Sequence, residues 1–310
     1  MTARLPDDKL HRMQSMLLAW QDRKTCTKRE LLSLVGVLQH ATLVVWLGRA
    51  FLRRMIDLAK ATKEYHHQVR LNREFRSDLQ WWRTFLPRWN RVSFLLPGLK
   101  AAPDFTVYSD ASGAWGYGAW CEPSLRWFQG QWPPLWRDRN ITAKELLPIV
   151  LAAAVCGPVW QGRVVYICCG NAAIVHVLHT SKSHEPLVMQ LLRGLHLFAM
   201  EHTFHFSARH IAGKENGPAD ALSRNHTSLF HSQVSQAQPV PEPLPADLLQ
   251  LFLAEHPPDW LSSSWRQQLI TILGKASPSL PTAPINLASS NISDSAIRQA
   301  SDASQHQSTS

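Results

Sequence analysis

No uninterrupted apolar run of about 20 residues, the length a spanning helix needs, occurs in this 310-residue sequence. The longest nearly apolar stretch, Leu146 to Trp160, is shorter and is broken by Pro148 and Gly157, which argues against a membrane partner. The opening residues, MTARLPDDKL, lack the apolar core of a secretory signal. Only five cysteines are present (Cys26, Cys121, Cys156, Cys168 and Cys169), an odd number without CxxC spacing. A disulfide framework and a zinc site are therefore unsupported, and an intracellular, reducing compartment is expected, nucleus and cytoplasm being indistinguishable. Charged residues make up 18% and hydrophobic residues 45% of the chain. These values exclude collagen-like and wholly disordered classes and allow about two domains with a real core.

What is present in excess is positive charge, and it is concentrated. Residues 1–100 hold 19 Lys/Arg against 8 Asp/Glu, a net +11, whereas residues 101–224 are net +1 and residues 225–310 net −3. Such a concentration points to a polyanionic partner, because Lys and Arg on phosphates release counterions. Arg49, Arg53 and Arg54 form a basic cluster and are the candidate nucleic-acid contacts; a solvated helical face is the plainer alternative.

The first third, residues 1–100, reads as a basic helical segment. Thr27 and Glu30 form a capping-box pattern before the apolar run Leu31 to Leu47, and Leu71 to Phe85 is a further amphipathic helix. At Asp104 the period changes from helical to strand-like. FTVYSDAS (105–112), WGYGAWC (115–121) and LRWFQGQW (125–132) read as an antiparallel meander. A helix over Thr142–Cys156, with Thr142 and Glu145 in capping-box register, precedes a strand over Arg163–Cys169. Helices at 172–179 and 185–201, a strand at 203–211 and a helix at 218–224 follow. This order predicts an α/β fold, a five-stranded mixed sheet flanked by helices. Beyond it, 225–246 reads as a proline-rich linker, 247–273 as a short helical segment and 274–310 as a disordered tail.

Three carboxylates at element ends carry the chemistry: Asp110 closes the first strand, Glu145 opens the first helix of this domain and Asp220 lies in its last helix. Hard oxygen ligands brought together in this way bind Mg²⁺ or Mn²⁺, and such ions assist phosphodiester cleavage. Each residue also has a plainer role: Asp110 as a turn former, Glu145 as a capping residue, Asp220 as a complement to a helix N-terminus.

Four blocks in order narrow these alternatives. YSDASGAWGYGAW (108–120), ITAKELLPIVLA (141–152), VVYICCGNAAIVHVL (164–178) and ARHIAGKENGPADALSR (208–224) resemble a retroelement ribonuclease H domain. The wording is similar to reverse transcriptases of DIRS-type elements, which encode a tyrosine recombinase. KRELLSLVGVLQHATLVVWLGRAFLRRMIDL (28–58) resembles the helical segment between polymerase palm and ribonuclease H in that group. The resemblance implies a ribonuclease H-like domain over residues 104–224, hydrolysing the RNA strand of RNA–DNA hybrids with two divalent metals. Asp110, Glu145 and Asp220 would be its metal ligands, and His210 would assist proton transfer or product release, unless it is only an exposed loop imidazole. The polymerase part of the same polyprotein is an implied partner.

The departure from that pattern is Gly170. In Ile-Cys-Cys-Gly-Asn-Ala it stands where the family has a metal-binding aspartate. Glycine supplies no ligand, so the resemblance implies impaired hydrolysis; a catalytically inactive nucleic-acid-binding remnant is the alternative. No aromatic-x-Asp-Asp block is present for polymerisation, and all four tyrosines (65, 108, 117 and 166) lie upstream of any recombinase-like tail.

Overall fold

A computed structural model describes residues 2–3, 5–89, 93–94 and 102–253. The disordered tail expected at 274–310, and most of the helical segment expected at 247–273, lie outside these residues. A short β1 (Thr2–Ala3) precedes helix α1 (Asp7–Ala19), whose first turn carries Asp7 and Asp8 at the positive end of the helix dipole. After β2 (Thr25–Thr27), helix α2 (Lys28–Ala41) opens with the expected capping box. Thr27 Oγ1 accepts the Glu30 N–H, and Glu30 Oε2 accepts the Thr27 N–H at 2.7 Å. The helix stops short of Leu47 because the β-branched Thr42, Val44 and Val45 lose rotamer freedom in it. The Thr42 hydroxyl closes its last turn by donating to the Gln39 carbonyl. A 3₁₀ turn (Trp46–Phe51), α3 (Arg53–Lys60), β3 (Gln68–Arg70), α4 (Arg73–Trp89) and β4 (Ser93–Phe94) complete this region. The β2–β3 and β1–β4 pairs are too short to show a period in the sequence.

The central sheet comprises β5 (Phe105–Ala111), β6 (Gly116–Glu122), β7 (Arg126–Gln131), β8 (Val164–Cys169) and β9 (His205–His210). Its strand order is β7-β6-β5-β8-β9. The β5–β6–β7 pairs are antiparallel and the β5–β8–β9 pairs parallel. This is the expected five-stranded mixed sheet, flanked by helices. Tyr117, Ala119 and Cys121 of β6 face the main core, whereas Trp120 points to a second cluster on the opposite face, as the two-residue strand period demands.

Helices α5 (Ile141–Cys156), α6 (Ala172–Thr180) and α7 (Pro186–Glu201) follow the meander and β8. Apolar over most of its surface, α5 is buried nearly end to end, and it runs through Pro148. Its N-cap is Asn140, whose side chain accepts the Thr142 N–H at 2.8 Å. The capping box expected between Thr142 and Glu145 therefore does not form, and Glu145 falls beyond the first turn.

Three short helices complete the described chain: α8 (Gly217–Ser223), α9 (Thr227–Gln233) and α10 (Ala246–Leu253). The stretch expected to be a linker is docked along the sheet. Gln238 and Glu242 donate backbone N–H groups to the Leu125 and Trp127 carbonyls at 3.1 and 2.7 Å, and Arg126 pairs with Glu242 through two bonds. Prolines at 239, 241, 243 and 245 suit an extended strand lying on a sheet edge as well as they suit a linker.

Candidate active site

The register of the sheet assembles the carboxylate site. Asp110 is the penultimate residue of β5, opposite Gly118 of β6. On the other side, Ser109 pairs with Cys169, the last residue of β8, so Gly170 continues the register beside Asp110. Gly118 admits α8: a Cβ there would stand 2.3 Å from the Leu222 Cβ. That close approach carries Asp220 and Ser223 to the same sheet end, where the Ser223 hydroxyl donates to Asp110 Oδ2 at 2.7 Å.

The three candidate carboxylates thus influence one another. Burial raises the Asp110 carboxyl above the usual carboxylate range; the Ser223 hydrogen bond and Arg224 oppose that rise, and the charge on Asp220 adds to it. Glu145, only 8% exposed, is pushed up to about 8, first by burial and then by Asp110. Cys169 Sγ lies 3.9 Å from Glu145 Oε2, and burial beside that carboxylate pushes the thiol up to about 12. The ammonium of Lys144, next in sequence to Glu145, is spent elsewhere, donating to the Gly113 and Arg137 carbonyls at 2.6 Å each. Lys144 therefore pins the loop after Asp110 and does not neutralise Glu145. Asp220 is half-exposed and accepts from Arg224 Nε at 2.9 Å.

Around Gly170 the neighbouring residues do not replace the missing carboxylate. Asn171 is committed as the N-cap of α6, its Oδ1 accepting the Ala173 and Ile174 N–H groups. A Cβ at position 170 would meet only Asn216 Nδ2, at 3.9 Å, so the backbone has room for a side chain. Asn216 stands at the N-cap position of α8 without capping it. Instead, at 2% exposure, it donates from Nδ2 to the Ser109 carbonyl, and its buried Oδ1 has no donor. His210 is exposed, with Nε2 3.2 Å from the Gly170 carbonyl oxygen. Sequence reasoning missed Ser223, Arg224 and Lys144 as parts of this site. Ser223 and Arg224 lie three and four residues after Asp220, one helical turn on, which is the signal that could have found them.

Of the candidate nucleic-acid contacts, two are engaged within the protein. Arg53 pairs with Asp57 at 2.9 Å, and Arg54 lies 3.7 Å from the buried Asp78. Arg49 is exposed on the 3₁₀ turn.

Divalent metal fits this donor set only in part. Asp110 and Glu145 are hard oxygen donors, the Asp110 charge raises Glu145, and Asn216, whose buried Oδ1 has no donor, is bonded to the Ser109 carbonyl next to Asp110. Yet among the described residues no group of three His, Cys, Asp or Glu side chains closes on a common point. Asp110 and Glu145 are the residues that would hold such an ion.

No family model and no curated protein matches the chain. Among the solved structures that resemble it, two are matched at low identity. One is the N-terminal RNase H domain of rv2228c from Mycobacterium tuberculosis, solved as a fusion with maltose-binding protein. It is 12% identical with a TM-score of 0.32, over 44% of this chain and 100% of that one. The other is a foamy viral protease-reverse transcriptase dRH in complex with double-stranded DNA. It is 11% identical with a TM-score of 0.26, over 67% of this chain and 35% of that one.

Proposed function

We propose that residues 104–224 are a ribonuclease H domain of retroelement origin, of the DIRS type, that holds an RNA–DNA hybrid and hydrolyses its RNA strand weakly. The observation that carries this reading is the register placing Gly170 beside Asp110, with Glu145 and Asp220 at the same end of the sheet. Mg²⁺ or Mn²⁺ held by Asp110 and Glu145 would activate water and stabilise the leaving oxygen. The chain's own contributions are positional. Ser223 fixes the Asp110 carboxylate, Arg224 restrains Asp220, and Lys144 anchors the loop between them. His210, donating from Nε2 to the Gly170 carbonyl, would present Nδ1 as the proton acceptor. The polymerase part of a polyprotein is the partner this reading implies.

The test is cleavage of an end-labelled hybrid in Mg²⁺ and Mn²⁺ by the chain as it stands and by Gly170→Asp. A Cβ at position 170 meets nothing closer than 3.9 Å, and the variant should cut at least 100-fold faster, the factor typical of one missing electrostatic group. Equal rates would show that Gly170 is compensated. A second reading, nucleic-acid binding without hydrolysis, is favoured by the absence of a three-ligand cluster among the described residues. It predicts no cleavage by either protein, together with hybrid affinity that falls steeply with salt.

A further inference from the structure

Beside the carboxylates, on the α8 face of the sheet, lies a cavity of about 220 Å³ lined by Trp115, Gln129, Gln131, Leu222, Ser223 and Asn225 with the Gly116 and Gly130 backbone. We propose that this cavity receives one unstacked nucleobase, which packs on the Trp115 indole; the proposal rests on the nucleic-acid reading above and names a further contact with that substrate.

Three observations converge on a base. The first is position: Ser223 both lines the cavity and donates to Asp110, so an occupant lies one side chain from the carboxylates. The second is chemistry. No Lys, Arg, Asp or Glu lines the space, which disfavours a phosphate or a cation, while the Gln131 amide and the Asn225 Nδ2 group supply an acceptor and donors that can pair with a base edge. Gln129 Nε2 donates to Asn225 Oδ1 at 2.8 Å and to Thr227 Oγ1 at 3.2 Å, which fixes one wall. The volume is below the ~300–1,000 Å³ of a drug-sized pocket, the right order for a single heterocycle.

The third is Trp115 itself. It is 55% exposed, whereas the eight other tryptophans whose side chains are described are exposed by 7% or less. Its backbone is fixed in place: the N–H donates to Ser112 Oγ at 2.9 Å, and the carbonyl accepts the Trp132 N–H at 2.9 Å. A large exposed indole on a fixed backbone beside an uncharged cavity offers a stacking platform, and stacking on an aromatic ring accepts any base.

The experiment uses the full chain, in EDTA to prevent turnover, with three fluorescent RNA–DNA hybrids. One is blunt, one carries a single unpaired 3′ adenosine, and one carries an abasic nucleotide at that place. The adenosine overhang should bind about tenfold more tightly than the abasic one, within the range of one base on an aromatic ring. Trp115→Ala should erase that preference without changing affinity for the blunt hybrid, and Trp115→Phe should keep most of it. Saturation-transfer NMR with free adenosine, lost in Trp115→Ala, separates a nucleoside site from one that requires a strand. Blunt-hybrid binding with no overhang preference, or a preference that survives in Trp115→Ala, overturns the base site and leaves the proposed function standing. Binding of free adenosine but of no hybrid keeps the base site and overturns the hybrid reading. If neither binds, both fall.

Discussion

Two clusters of ionisable groups among the described residues are built in opposite ways. At the seam between the N-terminal helices and the sheet domain, Asp78 is 0% exposed and stands 3.7 Å from both Arg54 and Arg193. Arg193, on α7, also donates to the Ala50 carbonyl at 3.1 Å, so one ion cluster ties α3, α4, α7 and the 3₁₀ turn together. At the sheet end, burial raises both Asp110 and Glu145, the Asp110 charge raises Glu145 further, and Arg224, which opposes the rise of Asp110, is bonded to Asp220. The seam is compensated by the chain's own charges. The site is left with a surplus of negative charge that only an outside cation, or protons, can neutralise.

Breaking the seam should give the largest effect. Asp78→Ala leaves Arg193 buried without its carboxylate, and removing one partner of a buried pair typically costs about 3–5 kcal/mol. Urea unfolding of the full chain should show that loss. The double change Asp78→Leu with Arg193→Met should recover much of it, because apolar replacement of both partners avoids the desolvation cost. A loss under about 1 kcal/mol for Asp78→Ala would mean that the cluster is solvated and the contrast with the site is false.

The site should respond in the opposite sense. Glu145 holds its proton up to about pH 8 in the folded chain, whereas an unfolded glutamate loses it near pH 4.3. Between those values the native state binds more protons than the unfolded one, so stability falls as pH rises. Glu145→Gln removes that slope. The variant should match the parent near pH 4 and become more stable than it by pH 8, by on the order of 5 kcal/mol at about 1.4 kcal/mol per unit. Thermal melts across that range in EDTA would show it; parallel curves would mean that Glu145 is charged and already compensated. Mg²⁺ or Mn²⁺ should raise the melting temperature of the parent and leave Glu145→Gln nearly unchanged.

Much of this contrast could be read from the sequence on one side only. Strand alternation and small turn residues marked all five strands, and the four blocks placed Asp110, Glu145, Asp220 and Gly170 in order. Register then brought Gly170 to Asp110, which no local pattern states. The seam was illegible because Asp78, Arg54 and Arg193 are far apart in sequence and each looks like an ordinary helix-surface charge. Composition points Arg53 and Arg54 toward nucleic acid, but it cannot register an i,i+4 partner such as Asp57 or a buried one such as Asp78. The docking of 225–246 was hidden for a similar reason, since a proline-rich segment has the same composition on a sheet edge as in solvent.

The smallest expected effect sharpens the comparison most finely. Arg224 and Asp220 form an i,i+4 pair with side chains about half exposed, and such pairs contribute about 0–1 kcal/mol. Arg224→Ala should therefore change unfolding by less than about 1 kcal/mol, unlike Asp78→Ala. Its consequence lies in the electrostatics of the site, because Arg224 is one of the few influences that lower the Asp110 carboxyl. Removing it should move the Asp110 titration upward, which carboxyl-carbon NMR can follow. It should also strengthen Mn²⁺ binding, since Asp220 no longer has an internal partner. A large stability loss would show that the Asp220–Arg224 pair belongs with the compensated seam. An unmoved Asp110 titration together with unchanged Mn²⁺ affinity would show that Asp220 takes no part in the site.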